Sequence, residues 1–207
     1  MSLARAKTRL RKLDRSFFER PAIELARELV GTILVRRIAG REYRGRIVET
    51  EAYIGPHDLA CHAAKGRTAR TEVMFGPAGH AYVYLIYGIH QMLNIVASHT
   101  DDAQAVLVRA AEPLDGWTAN LTGPGNLARG FRINRRDNKL DLTGDDLYLL
   151  SDPLHRTRVI KTRRIGVDYA KHWKNRLLRF IDVNSNAVSW PRLHKKSRAK
   201  LLGLNGK

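Results

Sequence analysis

Cysteine is all but missing from this chain. The one thiol, Cys61, excludes an intramolecular disulfide and a zinc site built on several thiolates, and it fits a reducing compartment. Long apolar runs are missing too. The longest are of strand length, so no segment reads as a membrane-spanning helix. Residues 1–12 are basic but lack the apolar stretch of a secretory signal, and the expectation there is a solvated or DNA-contacting arm. No P-loop is present, because the Gly123-Pro124-Gly125 turn lacks the Lys-Ser/Thr ending that would cradle a nucleotide. Internal repeats, low-complexity tracts and an inter-domain linker are likewise absent.

Negative charge is also scarce. Against 20 Asp and Glu stand 37 Lys and Arg, a formal net charge of +17 over 207 residues. That imbalance favours a polyanionic partner, and the lack of membrane signals makes nucleic acid the better choice. The length suits one well-filled domain. We read a basic arm over 1–12, one folded domain over 13–190 and a basic tail over 191–207.

The pattern predicts an α+β domain with a curved, mainly antiparallel sheet flanked by helices. Pro21 to Gly31 has Pro at a helix start, apolar residues at helical spacing and Gly beyond the end. Thr32–Ile38 and Tyr43–Tyr53 read as strands around an Ala39-Gly40-Arg41-Glu42 turn. From Ile54 to Pro77 the pattern breaks into a long basic loop that contributes little to the core. Strands follow at 81–87, 92–98 and 104–112, with a turn at Gly88-Ile89-His90-Gln91. A short helix opens after Gly-Pro-Gly, a polar stretch runs to Asp152, and the last strands are expected near 164–167 and 178–183.

The segment Val48-Glu49-Thr50-Glu51-Ala52-Tyr53 carries the strongest chemical signal. Alternation along a strand sends Glu49, Glu51 and Tyr53 to one face, where two carboxylates are costly unless paired or employed. Arg109, inside the apolar run 105–111, needs a carboxylate or a bound anion. A carboxylate held by arginine stays ionised and can deprotonate a water, and a purely structural ion pair explains the same residues. Tyr82 and Tyr84 share a strand face, and Tyr87 stands at a tip where a planar ring could stack on a base. His57, Asp58 and His62 lie close in sequence without completing a metal-ligand spacing, so no metal site is expected.

Taken in order, these segments resemble the alkyladenine type of 3-methyladenine DNA glycosylase. The likeness covers about 13–189 and rests on Val48-Glu49-Thr50-Glu51-Ala52-Tyr53, Met74-Phe75-Gly76-Pro77, Tyr82-Val83-Tyr84-Leu85-Ile86-Tyr87-Gly88, Leu93-Asn94-Ile95, Val108-Arg109-Ala110-Ala111-Glu112-Pro113 and Arg164-Ile165-Gly166-Val167. The resemblance implies Glu51 as general base for a water and Arg109 as its companion, with the Ile165 backbone also near that water. It implies a flipped base held between Tyr53 and Tyr84, with His62 and Met74 lining the pocket and Asn94 opposing the amine of guanine. Tyr87 would be the wedge, with Ile89, His90, Arg67 and Arg70 contacting DNA. The chain departs from the family at His90, Thr71 and Asn126, where an aromatic residue, Asn and Lys are frequent.

By that likeness the protein is a monofunctional base-excision repair enzyme. It would remove alkylated or deaminated purines from double-stranded DNA without a cofactor, as an intracellular monomer that resides with the DNA. Two other readings stand beside it: a basic nucleic-acid-binding protein with structural glutamates, and a metal-dependent nuclease using His57, Asp58 and His62.

Overall fold

A computed structural model describes residues 10–192. The expectations for 1–9 and for the tail from 193 onward lie outside the described residues. Strand β1 (Arg11–Lys12) already pairs in the sheet, so the last two residues of the predicted arm belong to the fold. Helix α1 (Arg15–Phe18) is capped by Asp14, whose carboxylate accepts the Phe17 N–H at 3.3 Å. Helix α2 (Ala22–Leu29) follows Pro21 and buries Ala22, Leu25, Ala26 and Leu29, the i, i+3, i+4, i+7 stripe that one helix face presents.

The remaining strands are β2 (Ile33–Ile38), β3 (Arg41–Tyr53), β4 (Ala81–Ile86), β5 (His90–Ala97), β6 (Gln104–Pro113), β7 (Leu147–Ser151), β8 (Val159–Thr162) and β9 (Arg179–Asp182). Helix α3 (Pro124–Gly130) begins with Pro at its first turn. The sheet runs β1-β7-β2-β3-β6-β5-β4, with β9 beside β3 and β8 beyond β9. Among the described residues every ladder is antiparallel. This is the α+β sheet expected from the sequence.

Strand β3 is the hinge of the architecture. Its first half pairs β2, its second half pairs β9 through Glu49–Glu51, and β6 lies along its other edge. The β3–β6 register slips on both sides of Glu49: Ile47 faces Ala111, Glu49 faces Ala110 and Thr50 faces Val108. Val48 on one strand and Arg109 on the other are therefore the extra residues. Such irregularities re-aim side chains, and this one sits where the acidic pair meets its arginine.

One core joins α2, α3 and the sheet around Phe18, Leu25, Leu29, Ile47, Leu93, Phe131 and Phe180. The loop after β3 corrects the expectation that it carries little core. It folds into two 3₁₀ turns, His62–Lys65 and Glu72–Phe75, and buries Cys61, Ala63, Val73 and Met74 with Tyr82 and Val96 in a second cluster. Short stretches of polar residues hid those apolar anchors.

Three further corrections concern strands. Residues 164–167 are not a strand, because Arg164 is turned inward to a carboxylate. The polar stretch before Asp152 contains β7, whose Leu147-Tyr148-Leu149 buries against β2. The β4–β5 turn is Tyr87-Gly88-Ile89 rather than 88–91: the Ile89 N–H bonds the Ile86 carbonyl, with φ +52° at Tyr87 and +72° at Gly88. Both central residues at positive φ define the mirror-image turn that suits strand twist. Among the described residues, no helix is long and apolar enough to cross a membrane.

Candidate active site

Strands β3 and β6 bring Glu49, Glu51 and Arg109 into one buried cluster. Both carboxylates are fully buried, and Arg109 is 6% exposed. The Arg109 guanidinium donates from Nε to Glu49 at 2.8 Å and lies 3.3 Å from Glu51 through Nη1. The two glutamates are otherwise loaded differently. Glu49 also accepts from Arg179 Nε at 2.6 Å, from the Ser189 N–H at 2.6 Å and from the Ser189 hydroxyl at 2.8 Å. Glu51 accepts the Ile165 N–H at 2.8 Å on one oxygen and the Tyr53 hydroxyl at 3.0 Å on the other.

Burial alone would raise the Glu49 carboxyl. The charges of Arg109 and Arg179 and the Ser189 donors outweigh it, so the group sits below the usual carboxylate range. Burial opposes the charge of Arg109 too, but the two glutamates hold it protonated. Glu49 thus anchors two arginines and Ser189, with three donors on one oxygen and the Ser189 N–H on the other. The second oxygen of Glu51 is met by the hydroxyl of Tyr53, whose ring borders an opening in the fold.

That opening is a cavity of about 340 Å³ lined by Tyr53, His62, Met74, Tyr84, Asn94 and Arg109, with Tyr87 at its rim and Ile165 in its wall. The structure brings these sequence-predicted residues together. His62 Nδ1 lies 2.8 Å from the Tyr82 hydroxyl, and its ring meets that of Tyr84 edge-on at 4.5 Å between centroids. Burial pushes the imidazole down to about 4, aided by Arg70 and Lys65, so it is neutral near pH 7. Asn94 is buried, and its amide is fixed by donation to the Tyr82 carbonyl at 3.2 Å. Burial raises both Tyr53 and Tyr84, Tyr53 with the added effect of Glu51, so both rings keep their hydroxyl protons.

Tyr87 and Ile89 project from the β4–β5 turn with 86% and 72% exposure. His90, exposed at the base of that turn, packs on Gly125, where any added Cβ would meet its ring at 3.0 Å. Arg67 and Arg70 lie outside the cavity. Arg67 pairs with Glu72 and Asp101 and stacks on Phe75, whereas Arg70 lies over the Tyr84 ring.

Asp58 has a different place from that of a metal ligand. Its carboxylate takes two hydrogen bonds from Arg164, at 2.5 and 2.8 Å, and Arg164 in turn covers the Tyr53 ring with its guanidinium 4.8 Å from the centroid. Among the described residues no group of three or more His, Cys, Asp or Glu could hold a metal ion. His57 instead packs against Trp173, the two rings tilted at 59°.

The sequence reading missed Arg179, Ser189, the Asp58–Arg164 pair and Tyr169, which also lines the cavity. Arg179 carried the same signal as Arg109, a lone arginine in an apolar run. Ser189 carried none.

The model of the family described as methylpurine-DNA glycosylase matches residues 16–186. A Legionella pneumophila (strain Corby) protein is 50% identical over 182 residues, which cover 87% of this chain and 99% of its own. A Myxococcus xanthus protein is 50% identical over 180 residues, 86% of this chain and 93% of its own. One from Methanocella arvoryzae is 44% identical over 191 residues, 86% and 95% respectively. Each bears the name "Putative 3-methyladenine DNA glycosylase". The matched span holds β3, β6 and the whole cavity wall, and with it the residues that carry the resemblance in the sequence. The chain belongs to the methylpurine-DNA glycosylase family of DNA-repair enzymes.

Proposed function

We propose that this DNA glycosylase draws an alkylated or deaminated purine out of a duplex and hydrolyses its N-glycosidic bond with a water activated by Glu51. The observation that carries the reading is the unequal loading of two buried carboxylates. Glu49 takes four donors, with Arg109, Arg179 and the Ser189 hydroxyl on one oxygen and the Ser189 N–H on the other, whereas the second oxygen of Glu51 is met by the hydroxyl of Tyr53, a ring that lines the cavity. A carboxylate so held can accept a proton while Arg109 and the Ile165 N–H fix its position.

In the reaction the water oxygen bonds to the sugar C1′, its proton passes to Glu51, and the C1′–N bond breaks with its electron pair leaving on the base. The transition state resembles an oxocarbenium ion, so a buried anion beside the sugar stabilises the charge that develops there. Among the described residues no lysine lines the cavity, which supports a water nucleophile over a Schiff base and hence a monofunctional enzyme.

Recognition follows from shape and stacking. The rings of Tyr53 and Tyr84 in one cavity suit a planar purine between them, and aromatic faces favour electron-poor, alkylated rings. Neutral His62 contacts the base edge, Met74 fills the pocket beside it, and fixed Asn94 crowds the exocyclic amine of guanine. The exposed pair Tyr87 and Ile89 on a rigid turn suits the wedge that replaces an extruded base, with His90 at its foot. Damaged bases cost less to extrude, which adds selectivity without base-specific hydrogen bonds. The excess of Arg and Lys supplies sequence-independent phosphate contacts, with Arg67 and Arg70 on that surface. On this reading the enzyme acts as a monomer without cofactor, inside the cell where its DNA is.

The test is single-turnover release of base from duplexes carrying hypoxanthine or ethenoadenine and from methylated DNA, in EDTA, by the native chain and by Glu51→Gln. Abasic sites from the native protein alone are expected. If neither protein releases base and both bind duplex equally, the glutamates are structural and the chain is a binding protein.

A further inference from the structure

Both tyrosines of the proposed base sandwich carry a guanidinium, and the two guanidiniums differ in charge balance. Arg164 covers Tyr53 at 4.8 Å and is neutralised by the two oxygens of Asp58. Arg70 covers Tyr84 at 5.0 Å, and among the described residues no carboxylate forms an ion pair with it.

Tyr84 stands between two cavities. It lines the base pocket, and it also lines a second hollow of about 430 Å³ with Arg70, Arg135 and Asn138. Of the two, Arg70 borders only the second. The guanidinium thus reaches the Tyr84 ring from the second hollow and not from the base pocket. The same charge disfavours the His62 imidazolium, second to burial.

We propose that Arg70 sets the charge preference of the base pocket: its unneutralised guanidinium behind Tyr84 weakens the hold on purines that bind as cations and speeds departure of the base from any lesion. This rests on the base-pocket reading above.

The cause is electrostatic. A positive charge behind the ring withdraws what the π-face would otherwise offer a cationic base, and opposes it directly across one ring. A neutral base such as hypoxanthine meets no such opposition. As the C1′–N bond breaks, its electron pair goes to the base in either case. A cationic base leaves neutral, and a neutral base leaves as an anion that then takes a proton from water. The charge on the base falls by one for both, so Arg70 assists cleavage of both while penalising binding of only one.

Binding and cleavage separate these two effects. Binding is measured by fluorescence anisotropy in the Glu51→Gln background, with and without Arg70→Met, on duplexes carrying 7-methylguanine, hypoxanthine or no lesion, in slightly acidic buffer where the methylated base stays cationic. Saturating single-turnover rates are measured with Glu51 intact. We expect Arg70→Met to tighten binding of the 7-methylguanine duplex by about 3- to 30-fold relative to the hypoxanthine duplex, as expected when a full cation–π attraction is restored. Both saturating rates should fall by a similar factor. Arg70→Lys, which keeps the charge, should preserve the native ratio.

Arg70 acting as a phosphate contact alone would instead weaken binding of all three duplexes together and leave their ratio unmoved, and a merely structural support for Tyr84 would weaken both lesions. Either result overturns the inference. Release of neither base by the native protein overturns the glycosylase reading and this inference with it. Release with an unmoved binding ratio overturns this inference alone.

Discussion

Ser189 closes over Glu49 with two hydrogen bonds, from its backbone N–H at 2.6 Å and its hydroxyl at 2.8 Å, across 140 residues of chain. The contact seals a buried network in which Glu49 also holds Arg109 and Arg179. Removing one partner of such a network leaves an uncompensated buried charge. Glu49→Gln and Arg179→Met are each expected to cost about 3–5 kcal/mol of stability, and Ser189→Ala about 1–3 kcal/mol. Glu49→Gln should also lower the rate of base release, since Arg109 loses its anchor. Urea denaturation measures the first effect, and a loss below about 1 kcal/mol for Arg179→Met would mean that the cluster does not act as one unit.

The Asp58–Arg164 pair makes a parallel claim on the other side of the cavity. Both side chains are fully buried and bound by two hydrogen bonds. Asp58→Asn should destabilise the fold by about 3–5 kcal/mol and free Arg164 from its place over Tyr53, while EDTA leaves the native activity unchanged. Restoration of an EDTA-treated protein by a divalent cation would instead return Asp58 to the role of a ligand.

His62 gives a prediction in pH. Its folded value is about 4 against an ordinary value of 6.5, and the group is a base whose charged form the fold disfavours. Its contribution to stability is therefore complete above about 6.5 and is lost as pH falls from there towards 4, because over that window the unfolded chain binds a proton that the folded chain does not. The slope should approach about 1.4 kcal/mol per pH unit for that single proton. Imidazole NMR signals are the direct check: a His62 midpoint near 6.5 would contradict the burial and the neighbouring charges, and Arg70→Met should move the midpoint upward.

Tyr87 separates binding from stability. At 86% exposure it supports little of the fold, so Tyr87→Ala should alter unfolding free energy by no more than about 0.5 kcal/mol. Loss of a stacked or wedged ring should weaken lesion-specific binding by about 1–3 kcal/mol, roughly 5- to 150-fold. Equal affinity of native and variant proteins for a lesion duplex would remove the wedge.

Parts of this architecture are legible in the sequence alone. Helix α2 announces itself through Pro21, its apolar stripe and Gly31, because a helix writes its buried face into residues three and four apart. β2 to β6 and β9 are visible by period-2 alternation and apolar runs, whereas β8 is not. Strand β7 is not, since it is short and flanked by charge, and 164–167 looks like a strand although Arg164 folds inward to Asp58. Apolar content in a short run does not distinguish a strand from a buried turn. The core of the loop from 54 to 77 is hidden for the same reason: its four anchors, Cys61, Ala63, Val73 and Met74, are spaced by no single period.

The sequence by itself determined the candidate carboxylates, the lone arginine opposite them, the tyrosines and the positive charge, because residue type and strand alternation fix what chemistry each position can offer. Only the tertiary structure decided which donors each glutamate meets. That choice depends on Arg179, Ser189 and Ile165, which lie 130, 140 and 114 residues away from the carboxylates they bind. It depends also on a register slip that leaves Arg109 outside the pairing of β3 with β6. Hydrogen bonds act over a few ångströms in space, so donors that far apart in sequence are assigned to an acceptor by the fold and by nothing local.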